Sequence, residues 1–148
     1  MNQHGNSAKR ALITGASGFT GHYLTQELQQ HGWEVWGLGQ MPKNESQADL
    51  DCYLQADLND YATLQAAVHQ AAPHAVFHLA AIAFVGHGSP ADFYQVNVGG
   101  SRNLLQALAS LPVAPQSVLL ASSANVYGNA AEGQLAESTS IRPANDYA

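Results

Sequence analysis

Charge, basic residues and cysteine are scarce in this sequence, and each shortage excludes a class of function. Charged residues make up 11% of the 148 residues, and 5 Lys and Arg against 11 Asp and Glu give a formal net charge of -6. We therefore expect no nucleic-acid partner, because a phosphate backbone needs a basic face to bind it. The single cysteine, Cys52, cannot form an internal disulfide, which indicates a reducing, cytoplasmic setting.

Long apolar runs are also missing. No stretch approaches the roughly 18 to 20 apolar residues of a membrane span, so we expect no membrane partner. Residues 1–8 are polar and lack the apolar segment of a secretion signal. The 7 histidines do not indicate a metal site. Their closest pair, His74 and His78, would be separated by about 13 Å on a strand.

The hydrophobic content of 46% is typical of a globular domain with a buried core. We expect a flexible tail over residues 1–8 and one domain over residues 9–148, in which short apolar runs alternate with helical patterns. Strands are predicted at residues 11–14, 34–38, 53–54, 75–79 and 117–121. Helices are predicted from about Gly18, after a cap at Asn59 or Asp60, and from about Ala91. This pattern predicts a doubly wound Rossmann-type α/β sheet in the order 3-2-1-4-5.

Three glycines, Gly15, Gly18 and Gly21, lie between the first strand and the first helix. Glycines at such a place permit a tight turn and let backbone N–H groups approach a pyrophosphate, while the helix N-terminus adds partial positive charge. A glycine trio alone is a weak signal, because glycine is common in any turn. Its position between a strand and a helix makes dinucleotide binding the favoured interpretation over a merely structural turn.

The spacing G-x-x-G-x-x-G, with Phe19 inside it, resembles that of the extended short-chain dehydrogenase/reductase family, the NAD-dependent epimerase/dehydratase group. Further matches follow in order: Asp57-Leu58, His78-Leu79-Ala80-Ala81, Asn97-Val98-Gly99-Gly100 and Ser122-Ser123-Ala124-Asn125-Val126-Tyr127-Gly128. The resemblance covers nearly the whole chain. It implies an N-terminal Rossmann portion of a nucleotide-sugar enzyme that binds NAD or NADP.

The same resemblance implies which residues contact the dinucleotide. They are Gly15, Ser17, Gly18, Phe19, Gly21, Gln40, Asp57, Leu58, Leu79, Ala80, Ala81, Asn97 and Ala121. It also implies two catalytic residues. Ser123, four before Tyr127, matches the serine that hydrogen-bonds the reacting oxygen, although a hydroxyl there also suits a cap for the next turn. Tyr147 matches the acid/base tyrosine of a Tyr-x-x-x-Lys pair.

The lysine of that pair would stand four residues after Tyr147, whereas the printed sequence ends at Ala148. A phenol ionises only well above neutral pH unless a cation stabilises the phenolate. The family also has a C-terminal portion that completes the substrate pocket. We therefore expect a truncated chain that is inactive as an isolated 148-residue polypeptide.

Two positions bear on the reaction and the cofactor. Dehydratases of the group carry a glutamate where this chain has Asn125, and an amide cannot shuttle that proton. At the end of the second strand, Gly39 and Gln40 replace the acid that selects NAD. The missing acid gives a slight preference for NADP, although no arginine is present there to attract its phosphate.

The resemblance leaves several functions open. Residues 83–90 loosely match the GDP-4-keto-6-deoxymannose reductase branch, close to GDP-mannose 4,6-dehydratase-like enzymes, although generic loop packing explains them equally well. The favoured activity is reduction of a GDP-linked 4-keto-6-deoxy sugar. The alternatives are a nucleotide-sugar 4-epimerase and a truncated, non-catalytic dinucleotide-binding module. Family members often pair through helices beside the active site, which implies a homodimer of the full-length protein.

Overall fold

A parallel five-stranded sheet forms the centre of the molecule. The computed structural model describes residues 8–44, 47, 49–83, 89–128 and 133–148. The strands are β1 (Arg10–Thr14), β2 (Glu34–Gly39), β3 (Cys52–Gln55), β4 (Ala75–His78) and β5 (Ser117–Leu120). Their order is β3-β2-β1-β4-β5, which confirms the predicted Rossmann-type topology. The predicted tail lies outside the described residues except for Ala8.

The helices connect these parallel strands. They are α1 (Phe19–Gln30), α2 (Tyr61–Ala71), α3 (Pro90–Phe93) and α4 (Ser101–Ala109), with a π-helical stretch over Tyr94–Gly100 between the last two. The predicted third helix is therefore one continuous helix with a wider middle turn. Asp60 precedes helix α2 and its carboxylate accepts the N–H groups of Ala62 and Thr63, so Asp60 and not Asn59 is the cap.

Both faces of the sheet are buried, because successive side chains of a strand point to opposite faces. Leu12 of β1 belongs to a core with residues of α2 and α4, including Val68 and Leu104. The neighbouring Ile13 belongs to a second core with Val35, against which the α1 residues Leu24 and Leu28 pack. The four residues from Ala11 to Thr14 are fully buried, as expected for a central parallel strand.

Strand β5 is the exception to this burial. Its four residues are all exposed, although Val118, Leu119 and Leu120 are apolar. It pairs with β4 on one side, and in the described part of the chain it is one of the two edge strands, with β3 at the opposite edge. An apolar strand has the same sequence pattern whether other elements bury its side chains or leave them exposed. The sequence therefore did not predict the exposure of β5.

The order of the strands places a crevice beside β1. The chain builds β2 and β3 on one side of β1 and then crosses to build β4 and β5 on the other. The loops that follow β1 and β4 therefore diverge from adjacent strand ends, with Thr14 directly beside His78 in the register. Ligands of doubly wound sheets bind at this reversal of strand order.

Candidate functional site

The glycine turn after β1 is shaped by close contact with the chain that follows β4. Gly15 has a φ of +74°, a conformation that side chains rarely adopt, and a Cβ there would stand 2.9 Å from the backbone nitrogen of Ala80. The N–H of Gly18 donates to the carbonyl of Gly15 at 3.0 Å and closes the turn. Gly15 and Gly18 carry no side chains at this turn, which favours a close backbone approach to a phosphate.

Helix α1 starts directly on this turn. Gly18 is its N-cap residue and no side chain caps it, so the first-turn N–H groups are available to a ligand. Gly21 packs the helix onto the turn, since a Cβ at Gly21 would meet the carbonyl oxygen of Gly15 and stand 2.7 Å from Ala16 Cα. This cradle fits a pyrophosphate group.

A cleft of about 400 Å³ opens beside the cradle. Nine of the thirteen residues predicted to contact the dinucleotide line it: Gly15, Ser17, Gly18, Gln40, Asp57, Leu58, Leu79, Ala80 and Ala81. The sequence did not identify Gln47, Tyr53, Asn59 and Val96, which also line it. These four residues lie in no recognisable motif. Tyr53 is on β3, Val96 is in the π-helical stretch, Gln47 lies between β2 and β3, and Asn59 lies just before α2.

The far end of this cleft is polar and holds one carboxylate. Gln40 Nε2 donates to Asp57 Oδ2 at 3.0 Å, and the N–H of Asn59 donates to Asp57 Oδ1 at 2.8 Å. Tyr53 donates its hydroxyl to the carbonyl of Met41 at 2.6 Å, and burial raises the pKa of this phenol. Among the described residues that line the cleft, none is a lysine or an arginine. Asp57 therefore makes this end of the cleft negative.

Two of the predicted dinucleotide contacts lie elsewhere. Phe19 is 81% exposed at the start of α1, where its ring meets Tyr23 edge to face at 5.0 Å. It does not line the cleft, and its contact with the dinucleotide stays a prediction. Gly21 lies behind the turn and supports it through packing.

The other two predicted contacts, Asn97 and Ala121, line a second cavity of about 660 Å³. Ser123 and Tyr147, which are 24 residues apart in the chain (147 − 123), line it together. The two cavities share the wall formed by Leu79, Ala80 and Ala81. Ser123 caps the following turn, since its hydroxyl accepts the N–H of Asn125 at 3.2 Å. The hydroxyl still has its own hydrogen to donate, and its catalytic role stays a prediction.

The segment that carries Tyr147 is tied to the rest of the fold at several points. The ring of Tyr147 packs against that of Phe93 with a centroid distance of 6.0 Å. The neighbouring Asp146 accepts the hydroxyl of Tyr94 at 3.1 Å, a hydrogen bond that raises the pKa of Tyr94. Further back, the N–H of Arg142 donates to the carbonyl of Val126 at 2.9 Å. These contacts bring Tyr147 to the cavity of Ser123.

Asn97 contributes by holding the backbone in place. Its side-chain amide accepts the N–H of Ile82 at 2.8 Å and donates to the carbonyl of Ile82 at 3.0 Å. The amide thus fixes the chain that follows Ala80 and Ala81, and it does so from the π-helical stretch. Of residues 83–90, which loosely match the reductase branch, residues 84–88 lie outside the described residues.

The sequence model of the NAD dependent epimerase/dehydratase family matches residues 11–148, from the start of β1 to the last residue. The chain belongs to this family. Within the described ranges, no helix has the length and apolar character needed to cross a bilayer. No group of three or more His, Cys, Asp or Glu side chains that could hold a metal ion occurs in the same part of the chain.

Known members of the epimerase/dehydratase family resemble the chain over most of its length. GDP-6-deoxy-D-talose 4-dehydrogenase of Aggregatibacter actinomycetemcomitans is 34% identical over 141 residues, which cover 93% of this chain and 43% of that enzyme. A Burkholderia cenocepacia J2315 protein proposed to be an epimerase is 44% identical, with a TM-score of 0.83 over 97% of this chain and 46% of its own.

A third relative is a UDP-glucose 4-epimerase of Brucella ovis, solved in complex with NAD. It is 30% identical, with a TM-score of 0.84 over 95% of this chain and 43% of its own. The chain thus spans less than half the length of each of these three relatives. The family and the Rossmann-type fold inferred from the sequence are therefore confirmed.

Proposed function

We propose that this chain binds a nicotinamide dinucleotide in the glycine-turn cleft and takes part in hydride transfer at C4 of a nucleotide-linked sugar. The observation that carries the proposal is the shared wall of the two cavities. Leu79, Ala80 and Ala81 separate the cleft of Gly15 from the cavity of Ser123 and Tyr147. A dinucleotide held by the glycine turn would therefore lie beside the two hydroxyl groups that act on the sugar.

The bound dinucleotide supplies or accepts the hydride. The chain's own residues manage the proton and the charge on the sugar oxygen. Ser123 donates its free hydroxyl hydrogen to that oxygen, and Tyr147 gives or takes the proton as the oxygen changes between carbonyl and alcohol. Among the described lining residues, Arg102 brings a fixed positive charge to the same cavity, where it favours negative charge on oxygen.

The favoured substrate class is a GDP-linked 4-keto-6-deoxy sugar, which the protein reduces. Support comes from the relative that acts as a GDP-6-deoxy-D-talose 4-dehydrogenase, since reduction of a 4-keto sugar is the chemical reverse of 4-dehydrogenation. Asn125 stands where a dehydratase needs a carboxylic acid. The amide favours a reaction confined to C4, without elimination of water.

A nucleotide-sugar 4-epimerase is the second candidate. It is supported by the 4-epimerase of Brucella ovis, whose structure contains NAD. An epimerase oxidises and then reduces the same carbon, so the dinucleotide must stay bound between the two steps. Retention of dinucleotide through purification, with equilibration of two C4 epimers and no net use of NADH, would favour the epimerase over the reductase.

For the cofactor we infer a preference for NAD, in place of the slight sequence-based preference for NADP. The 2′-phosphate of NADP needs a cation, and the described lining of the cleft has none. Asp57 would repel that phosphate, and its hydrogen bond from Gln40 holds the carboxylate in the cleft. We expect NADH to bind more tightly than NADPH, and Asp57→Asn to reduce the ratio of the two affinities about tenfold, equivalent to about 1.4 kcal/mol. An equal loss of affinity for NADH and NADPH in Asp57→Asn would contradict the role of Asp57 in this preference.

The test of the chemistry uses the natural full-length protein with 4-deuterated NADH and a GDP-4-keto-6-deoxy sugar. Deuterium is expected at C4 of the product. Ser123→Ala and Tyr147→Phe should each lower kcat by roughly 10²- to 10⁴-fold while the Kd for NADH changes less than about twofold. Asn125→Ala is the matched control from the same segment. Transfer that is unchanged in both hydroxyl variants would overturn the proposal.

A further inference from the structure

His78 is a buried titratable residue that the proposed chemistry does not use. It is the last residue of β4 and is 5% exposed. Its Nδ1 stands 2.6 Å from the hydroxyl oxygen of Thr14 on β1, and its Nε2 stands 2.7 Å from the hydroxyl oxygen of Ser101 on α4. Both ring nitrogens therefore have hydrogen-bond partners, and these come from two different elements.

The neighbouring hydrogen bonds determine which nitrogen carries the proton. The hydroxyl of Ser101 donates its only hydrogen to the carbonyl of Asn97 at 2.6 Å, so it must accept from His78 Nε2–H. The hydroxyl oxygen of Thr14 already accepts the N–H of Ala80 at 3.2 Å, and its hydrogen is free to be donated to Nδ1. The network is complete for a neutral ring protonated at Nε2. A second proton at Nδ1 would face the hydrogen that Thr14 donates.

The ring stands where three segments of the two cavities meet. On one side of the ring is Thr14, the residue before Gly15. The glycine turn at Gly15 lies against the backbone of Ala80. On the other side is the π-helical stretch, from which Asn97 holds Ile82 by two hydrogen bonds. Movement of the imidazole would therefore displace the glycine turn and the shared wall relative to each other.

We propose that His78 is a positioning residue of the dinucleotide site, which holds the glycine turn, the chain after β4 and the π-helical stretch in register as long as its ring is neutral and protonated at Nε2. The inference rests on the proposed dinucleotide binding and assigns a role to a residue outside it. The affinity for a dinucleotide falls when the ring gains a second proton, because Thr14 then loses its acceptor and the turn loses its tie to α4.

The surroundings of the ring favour its neutral form. Burial lowers the pKa of His78 from its ordinary value of 6.5. The charged and titratable side chains that line the same cavity in the described part of the chain are Arg102 on α4 and Tyr147, and the C-terminal residue Ala148 lines it as well. The neighbours of His78 in the sheet are Thr14 of β1 and Leu120 of β5, which carry no charge.

Protonation is therefore linked to folding as well as to binding. Because the pKa is lowered in the folded state, the unfolded chain binds the proton first as the pH falls below 6.5. The contribution of His78 to stability is complete above that pH and decreases as the pH falls towards the folded-state pKa. Binding of the dinucleotide should show the same direction of pH dependence.

The experiment measures the Kd for NADH between pH 5.5 and 8 by energy transfer from Trp33 and Trp36. In the wild-type chain we expect Kd to rise as the pH falls from 7.5 to 5.5, by less than about tenfold because burial lowers the pKa of His78 below 6.5. In His78→Gln, whose amide can still donate to Ser101 but offers Thr14 no acceptor at Nδ1, we expect Kd at pH 7.5 to be weakened about tenfold and to change little with pH. His78→Asn retains an acceptor for the Thr14 hydroxyl but loses the donor to Ser101. This substitution should also abolish the pH dependence.

The chain offers a matched control in His69 on α2. The Nε2 of His69 stands 2.9 Å from the hydroxyl oxygen of Ser110, and that hydroxyl donates to the carbonyl of Ala107 at 2.7 Å. The contact at Nε2 is thus similar to that of His78, but His69 is exposed on α2 and does not line the cavities. His69→Gln should reproduce the wild-type curve.

A second measurement needs no dinucleotide. Long-range ¹H–¹⁵N correlation spectra of the wild-type chain at pH 7.5 should show His78 as the neutral Nε2–H tautomer. A charged ring or an Nδ1–H tautomer would overturn the inference, as would a His78→Gln curve parallel to that of the wild type or tighter binding at acid pH. Absence of NADH binding at every pH would instead overturn the proposed function, and this inference with it.

Discussion

Gly21 in α1 and Gly99 in the π-helical stretch differ in what surrounds them, which allows packing to be separated from helix propensity. A Cβ at Gly21 would meet the carbonyl oxygen of Gly15, whereas a Cβ at Gly99 would meet its nearest atom, the carbonyl oxygen of Tyr94, at an ordinary 3.6 Å. We expect Gly21→Ala to lower the free energy of unfolding by about 1–3 kcal/mol, because α1 must move off the turn. We expect Gly99→Ala to leave it unchanged or raise it by up to about 1 kcal/mol.

Urea unfolding followed by tryptophan fluorescence measures both changes, since Trp33 and Trp36 flank the start of β2. The Gly99 variant serves as the control for a methyl group added to a helix. If both substitutions shifted stability in the same direction by the same amount, the contact between α1 and the glycine turn would not be the cause.

At the scale of single residues, the sequence predicted those parts of the candidate site whose residues lie in short motifs. Gly15 and Ser123 stand in recognisable segments, and Tyr147 follows at the place that the family resemblance assigns to it. The network around His78 could not be predicted, because its partners Thr14 and Ser101 lie 64 and 23 residues away in the chain. Their contact depends on the register between β1 and β4, and a sequence pattern does not define such a register.

Among the secondary-structure elements, α2 shows how one cap residue sets a boundary. The sequence allowed either Asn59 or Asp60 as the cap, and the carboxylate of Asp60 receives the N–H groups of Ala62 at 3.1 Å and Thr63 at 3.3 Å. We expect Asp60→Ala to lower the free energy of unfolding by about 1 kcal/mol, because it leaves these donors without an acceptor at the start of the helix.

The matched control for this prediction is Asn59→Ala, one residue earlier. It should change the free energy of unfolding by less than about 0.5 kcal/mol. Thermal or urea unfolding of the two variants provides the comparison. A larger loss for Asn59→Ala than for Asp60→Ala would contradict the assignment of the cap.

The elements themselves were predictable to the extent that periodicity and burial agree. In α2 the apolar positions Leu64, Ala67, Val68 and Ala71 recur with the helical period, and all four are buried. The wider turn over Tyr94–Gly100 was not predictable, because the same residues also fit an ordinary α-helix and the insertion of a π-helical turn depends on the packing around Asn97.

For the molecule as a whole, the sheet is covered unevenly. Strands β1 and β2 lie between two layers of helix, while β5 has bare faces and one unpaired edge in the described part of the chain. Unpaired backbone groups on an apolar edge strand form a template for pairing with another strand. We expect the 148-residue chain to self-associate through β5, with a second copy of the chain as the partner.

Two valines with different positions test this expectation. Val118 lies on β5 and is 40% exposed, and Val113 lies four residues before the strand and is 80% exposed. Either Val→Lys substitution removes the same apolar side chain and adds the same charge. Because like charges would meet where two copies of β5 pair, Val118→Lys should weaken association about tenfold or more, whereas Val113→Lys should leave it unchanged. Sedimentation across a range of concentrations measures both constants. A wild-type chain that stays monomeric, or two variants that dissociate equally, would exclude the edge of β5 as the surface where copies meet.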